Sequence, residues 1–202
     1  MSKQTIVIDR EYGSGGREVA RIISEKLGME FYDGNLLVMA SEKFGINLGV
    51  MKDYDEKGVG SLLYNIAMAA NYSSNYNYEK MEAPYRIYTA QAQVMKRLVA
   101  ERPCIFLGRC ADEILKDVTP VLSVFIFGTD MEKKKKRIAN VDGIAGKGVD
   151  NYIHKKDAQR KSYYHYYTKK EWGNMRNYDM CLNTALLSYE EAADAIIGAL
   201  KK

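Results

Sequence analysis

The sequence is short of the residues that build disulfide frameworks, metal sites and membrane spans. It has three cysteines, two histidines, three prolines and one tryptophan among 202 residues. The cysteines form no CxxC pair and neither histidine lies near one of them, which argues against a zinc site. No run approaches the ~20 apolar residues that a membrane helix needs. Because the N-terminus lacks an export signal, we expect a cytoplasmic protein with no membrane partner.

The remaining composition is that of a globular protein. Apolar residues make up 47% of the chain and charged residues 28%, and this length fits a single domain over residues 1–202. The net charge is +4 at pH 7, and the excess of basic residues lies in the C-terminal third. That part of the chain is therefore expected to favour an anionic ligand.

Short apolar runs alternate with helical patterns along the chain. Buried strands are predicted at 5–8, 29–32, 104–107, 121–127 and 180–182. Helices are predicted between them, among them one that Pro84 opens, one that a capping box of Thr129 and Glu132 opens, one over 150–167, and one that Ser188 and Glu191 open. This alternation predicts an α/β fold with a parallel sheet of about five strands.

A glycine-rich turn joins the first predicted strand to the first predicted helix. It contains Gly13, Ser14, Gly15 and Gly16, and Arg17 follows. Glycines allow a phosphate to approach the backbone closely, and a helix N-terminus offers N–H groups and a positive dipole end. We therefore predict a phosphate cradle here, the alternative being a tight turn without a ligand.

The turn matches neither standard glycine motif. The dinucleotide motif G-x-G-x-x-G fails because Glu18 stands at its third glycine. The P-loop motif G-x-x-x-x-G-K-[ST] can be placed in two registers. With Gly15 as its last glycine, Arg10 falls at the first glycine, Gly16 at the lysine and Arg17 at the hydroxyl residue. With Gly16 as its last glycine, Arg17 takes the lysine position but Glu18 takes that of the hydroxyl.

The turn nevertheless resembles the phosphate loop of the cytidylate kinase-like family, a divergent branch of the P-loop nucleoside monophosphate kinases. The loop-like segment is 10–20, REYGSGGREVA. The resemblance continues at Phe31-Tyr32-Asp33, at 106–109, at Lys156-Asp157 with Arg160, and at 172–184. It spans most of the chain apart from about 45–83.

This resemblance implies a three-layer α/β/α fold of the P-loop NTP hydrolase and kinase type with a basic helical lid. It implies ATP-dependent phosphoryl transfer to a nucleoside monophosphate, such as CMP, or to another small acceptor. ATP and Mg²⁺ are then the expected donor and cofactor. Residues 45–83 would form the acceptor-side region, and residues 140–170 would form a lid that closes over the phosphates.

Site residues are expected on both sides of the reaction. The backbone of 13–16, with Arg17, would bind the donor phosphates, and Arg17, Lys156 and Arg160 would neutralise developing charge. Asp33, Arg109 and Asp157 would face the acceptor, and no metal ligand is assigned. The alternatives are structural: Asp33 could cap the next helix, Arg109 could form an ion pair, and Asp157 could form a surface pair.

Two other classes of function stay open at this point. The loop lacks the P-loop lysine and hydroxyl in any single register, which favours a nucleotide-binding sensor or interaction module without turnover. The basic, tyrosine-rich C-terminal third would also suit an RNA-binding protein, although nucleic acid is the less expected partner. Tyrosine runs at 72–78 and 163–167 more often pack a half-buried helix or an interface, so a homodimer is one expectation. The basic run 133–137 is interpreted as a solvated helix face.

Overall fold

The computed structural model describes residues 4–45, 49 and 77–200. These residues form five strands and seven α-helices. In chain order they are β1 (Thr5–Arg10), α1 (Gly16–Leu27), β2 (Phe31–Tyr32), α2 (Asn35–Phe44), α3 (Asn77–Glu101), β3 (Ile105–Leu107), α4 (Ala111–Leu115), β4 (Val121–Phe127), α5 (Met131–Asp142), α6 (Val149–Thr168), β5 (Met180–Asn183) and α7 (Tyr189–Ala199).

The five strands form one sheet in the order β2-β3-β1-β4-β5, and every pair is parallel. The central strand β1 pairs with β3 on one side and with β4 on the other, so that Ile8 lies between Leu107 and Val124. The predicted α/β fold and its parallel sheet are confirmed. Because the carboxyl ends of parallel strands share one edge, the segments after β1, β2 and β3 meet there.

Helices cover both faces of the sheet, and successive residues of β1 pack on opposite faces. Ile6 and Ile8 pack on the face covered by α1 and α7, whereas Val7 packs on the face covered by α2, α3 and α4. This is why the strands are apolar throughout instead of alternating in polarity. A third, smaller cluster of Ile138, Val149 and Ile153 joins α5 to α6.

Two of the predicted helix starts are wrong. Helix α5 is capped by Asp130, whose side chain accepts from the Lys133 N–H, and not by Thr129. Helix α3 begins at Asn77, so Pro84 lies within it, because the residues before the proline include good helix formers. The capping box of Ser188 and Glu191 at the start of α7 is confirmed.

Most of the region predicted to lie on the acceptor side falls outside the described residues. Of 45–83, residues 46–48 and 50–76 are not described, and they include most of the tyrosine run 72–78. None of the described helices has the length and apolarity that crossing a membrane would need.

Candidate functional site

The glycine turn lies at the carboxyl edge of the sheet, between the end of β1 and the start of α1. Gly13 and Gly15 have φ values of 79° and 84°, which are left-handed conformations that favour glycine. Gly15 is the N-cap of α1, and no side chain caps the helix. Within the described residues, the N–H groups of Gly13, Gly15 and Gly16 make no hydrogen bond. The turn therefore keeps backbone donors that an anion could use.

Close packing also restricts Gly13, Gly15 and Gly16 to glycine. A Cβ at Gly13 would lie 2.9 Å from Ile138 Cδ1, and one at Gly15 would collide with the ring of Tyr189. A Cβ at Gly16 would lie 2.7 Å from Arg10 Cβ. The glycine density of the turn is thus explained without a ligand, and it is not evidence of a phosphate site by itself.

Two groups in the turn are already committed to contacts within the protein. The Tyr12 N–H donates to Asp157 Oδ1 over 2.7 Å, so a carboxylate of α6 occupies one backbone donor. The Ser14 hydroxyl points inward and donates to the Ile126 carbonyl over 3.1 Å and to the Glu11 carbonyl over 2.8 Å. The serine hydroxyl of the turn is therefore part of the fold.

Helix α5 holds both ends of the turn by ion pairs. Lys134 Nζ lies 2.6 Å from Glu11 Oε2, and Arg137 Nη2 lies 2.6 Å from Glu18 Oε2. Lys134 is buried. The interpretation of 133–137 as a solvated face is therefore wrong for these two residues, because two acidic residues flanking the turn draw them inward.

Arg17 and Asp33, predicted on opposite sides of the reaction, are bonded to each other. Arg17 Nε donates to Asp33 Oδ2 over 2.8 Å, and 63% of the Arg17 side chain is exposed. Arg10 Nη2 approaches the other carboxylate oxygen at 3.7 Å. Asp33 does not cap α2, whose N-cap is Gly34. Asp33 thus links two arginines from the two ends of the turn.

A cleft of about 180 Å³ opens beside the turn and brings together three of the predicted site residues. Arg109, Lys156 and Arg160 line it together with Arg10 and Asp9. Its other walls are formed by Cys110, Gln159, Tyr163, Tyr164 and Trp172. The cleft joins the carboxyl ends of β1 and β3 to one face of α6, where α/β folds bind ligands.

Arg109 reaches this cleft through a strained backbone. Gly108, Arg109 and Cys110 have φ values of 71°, 64° and 55°, so three successive residues are left-handed. Such a conformation costs about 1–3 kcal/mol for a non-glycine residue, and it is concentrated at functional sites. The strain turns the chain sharply from β3 into α4 and leaves Arg109 on the wall of the cleft.

Positive charge accumulates in the cleft. Burial, followed by the nearby charge of Arg10, lowers the pKa of Arg160 to about 9. Burial is also the main cause that lowers the pKa of Arg109. Because arginine stays protonated in proteins, these shifts mark unfavourable positive charge. Arg160 donates to the Arg10 carbonyl over 2.8 Å, and its Nη1 lies 3.8 Å from Asp157 Oδ1. An anion in the cleft would relieve the remaining repulsion.

The sequence model of the cytidylate kinase-like family matches residues 5–186. The chain belongs to the cytidylate kinase-like family. The match takes in the glycine turn, the strand end at Arg109 and the whole of α6. The resemblance of these segments to that family is therefore confirmed.

Several solved structures share the fold of this chain. An uncharacterized protein from Eubacterium ventriosum is 26% identical over 98% of both chains, with a TM-score of 0.69. TT1252 from Thermus thermophilus is 16% identical over 100% of both chains, with a TM-score of 0.56. Shikimate kinase from Acinetobacter baumannii, in complex with shikimate, is 16% identical over 98% of this chain and 96% of that one, with a TM-score of 0.50. Among curated proteins, none matches this sequence.

Among the described residues, the hydroxyl and the carboxylate nearest the turn are not free to hold the magnesium ion that the family implies. The Ser14 hydroxyl is turned inward, and Asp33 is bonded to Arg17. No group of three or more histidine, cysteine, aspartate or glutamate residues within the described ranges could hold a metal. The described part of the chain offers the arginine and lysine side chains of the cleft to neutralise phosphate charge.

The sequence reasoning missed a carboxyl group at the base of the cleft. Asp9 is buried, burial raises its pKa, and Tyr178 donates to its Oδ2 over 3.2 Å. Beyond it, Tyr164 donates to Asp112 Oδ2 over 2.6 Å. Asp9 is near the carboxyl end of β1, and that position could have identified it, because ligands bind at this edge.

Proposed function

We propose that the protein is a kinase that transfers a phosphoryl group from ATP to a small anionic acceptor, with CMP as the leading candidate. The observation that carries the proposal is the cationic cleft of Arg10, Arg109, Lys156 and Arg160 beside the glycine turn. A homodimer and a cytoplasmic location stay predictions from the sequence.

The two parts of the site would divide the substrates between them. The donor phosphates would lie on the backbone N–H groups at the start of α1, where the helix dipole favours negative charge. The acceptor would lie in the cleft, where guanidinium groups bind phosphate or carboxylate through paired hydrogen bonds. Phosphoryl transfer consists largely of positioning and charge neutralisation, so clustered cations suit it.

The acceptor side requires a broad test. CMP is favoured because it is what the family resemblance implies. A fold relative is named as a shikimate kinase, so shikimate belongs among the acceptors to be tried. Residues 45–83 stay the proposed acceptor-side region, and residues 140–170 stay the proposed lid.

A second candidate is a nucleotide-binding module without turnover. Two contacts favour it: the Ser14 hydroxyl donates to the Ile126 carbonyl, and the Tyr12 N–H donates to Asp157. The hydroxyl and the N–H would otherwise be available to the phosphates or to their metal ion. Such a protein would bind ATP and release no ADP.

The deciding experiment measures ADP formation from ATP and Mg²⁺ with CMP, dCMP, UMP, AMP, GMP or shikimate as acceptor. We expect acceptor-dependent turnover, and a loss of about 100-fold in kcat/KM in Arg160→Ala, as for removal of one charge-stabilising donor. Arg21→Ala is the matched control, because this exposed arginine pairs with Glu25 on the same helix. ATP binding without turnover would support the second candidate, and absence of ATP binding would overturn both.

A further inference from the structure

We propose that Arg10 supplies the positive charge that the lysine supplies in a P-loop. Compared with the P-loop motif, the glycine and the basic residue have exchanged positions along the loop. The inference rests on the proposed function, and it goes beyond that function by naming a phosphate-binding residue and the reason for two glycines. In the P-loop motif the first position is glycine and the seventh is lysine. Here the first position is Arg10 and the seventh is Gly16.

Steric exclusion ties the two positions together. A Cβ at Gly16 would lie 2.7 Å from Arg10 Cβ and 2.9 Å from Arg10 Cγ. Since Arg10 Cβ and Cγ fill the space next to residue 16, the side chain at position 10 and a lysine at position 16 exclude each other. The absence of the lysine is then a consequence of the side chain at position 10, and not a sign of a decayed loop.

A second glycine, Gly108, accommodates the far end of the same side chain. A Cβ at Gly108 would collide with Arg10 Nη1, and it would lie 3.5 Å from Arg10 Cζ. The arginine therefore extends from the end of β1 across the start of α1 to the end of β3. Any side chain at Gly108 would displace the guanidinium.

The resulting position suits a phosphate between donor and acceptor. Arg10 flanks the glycine turn and also lines the cleft, and only 16% of its side chain is exposed. Arg17 is 63% exposed and hydrogen-bonded to Asp33. A partly buried guanidinium presents a fixed fork of donors to phosphate oxygens. Arg10 is the better placed of the two to contact the phosphate that is transferred.

The test restores the glycine at position 10 and the lysine at position 16 that the P-loop motif has. The variants are Arg10→Gly, Gly16→Lys and the double variant Arg10→Gly/Gly16→Lys, with Arg21→Ala as the control. Calorimetric titration with Mg²⁺-ATP measures binding, ADP formation measures turnover, and thermal unfolding reports folding. We expect Arg10→Gly to weaken ATP binding about 100-fold, and the double variant to recover most of that loss by restoring the glycine and the lysine of the P-loop motif. Gly16→Lys alone should unfold at a lower temperature because of the clash.

The variant Arg10→Met covers the case in which Arg10→Gly does not fold. It keeps an aliphatic chain over Gly16 and removes the charge, so the same loss of ATP binding is expected. Binding of ATP by Arg10→Met at the wild-type level would overturn the inference and leave the proposed function standing. A double variant that folds but binds no better than Arg10→Gly would also overturn it. A wild-type protein that does not bind ATP would overturn the inference and the proposed function together.

Discussion

At the scale of single residues, a buried carboxyl group makes the stability of the protein depend on pH. Burial, followed by the nearby charge of Asp9, raises the pKa of Asp112 from 3.8 to about 6. The folded state therefore holds this proton more tightly than the unfolded state does. As the pH rises from about 4 to about 6, this group should lower the free energy of unfolding by up to about 3 kcal/mol.

Chemical denaturation of the wild type and of Asp112→Asn between pH 4 and pH 7 measures this effect. The amide is neutral throughout and can still accept from Tyr164, so the variant should gain stability relative to the wild type as the pH rises. The difference should level off above about pH 7. Stability curves that stay parallel over this range would contradict the assignment.

The residue scale also shows where sequence reasoning stops. The linear motif predicts that the first helix begins at about Arg17, and in the structure it begins one residue earlier, at Gly16. The direction of its side chain is decided by Asp33, which follows another strand. The contact between Arg10 and Gly108 likewise joins two strand ends about a hundred residues apart in the chain. Periodicity and local motifs carry no information about such contacts.

At the scale of elements, helix α6 is fastened to the glycine turn by polar contacts. Asp157 accepts from the Tyr12 N–H, and Arg160 donates to the Arg10 carbonyl. Apolar packing of Val149 and Ile153 covers the N-terminal part of the helix. The attachment of α6 to the glycine turn thus depends on hydrogen bonds to charged groups, each worth about 1.5–3 kcal/mol.

Removal of the Asp157 carboxylate should loosen this attachment. We expect Asp157→Ala to lower the free energy of unfolding by about 2 kcal/mol and to accelerate amide hydrogen exchange in residues 149–168. Lys161→Ala is the control, because Lys161 is an exposed residue of the same helix. Uniformly faster exchange throughout the protein would indicate global destabilisation instead, and would contradict the local attachment.

The elements themselves could be predicted from sequence almost completely. The five strands are short apolar runs between turn signals, and all five predictions are confirmed to within a few residues. The errors lie at helix starts and at α4, a short helix that the sequence analysis does not predict. Asp130 replaces Thr129 as a cap because either side chain can accept at a helix N-terminus. The ion pairs that hold α5 against the turn depend on Glu11 and Glu18, which lie far from α5 in sequence.

At the scale of the whole molecule, the sheet order decides which residues meet. The sequence predicts parallel strands, and the order β2-β3-β1-β4-β5 is what brings Asp33 after β2, Arg109 after β3 and Arg10 at the end of β1 to one edge. This order follows from nonlocal packing of helices on both faces. The cationic cleft is therefore a product of topology, in which groups separated along the chain share one charged site.

A molecule that concentrates cations at one edge should be stabilised by a multivalent anion. We expect inorganic phosphate to raise the melting temperature relative to sodium chloride at the same ionic strength. At ten times its dissociation constant the gain is about 1.4 kcal/mol, or roughly 3–6 °C for a chain of this size. Arg160→Ala should lose most of this response, while Lys136→Ala, on the exposed part of α5, should keep it. An equal response in both variants would mean that phosphate acts through general salt effects, and the cleft would not be an anion site.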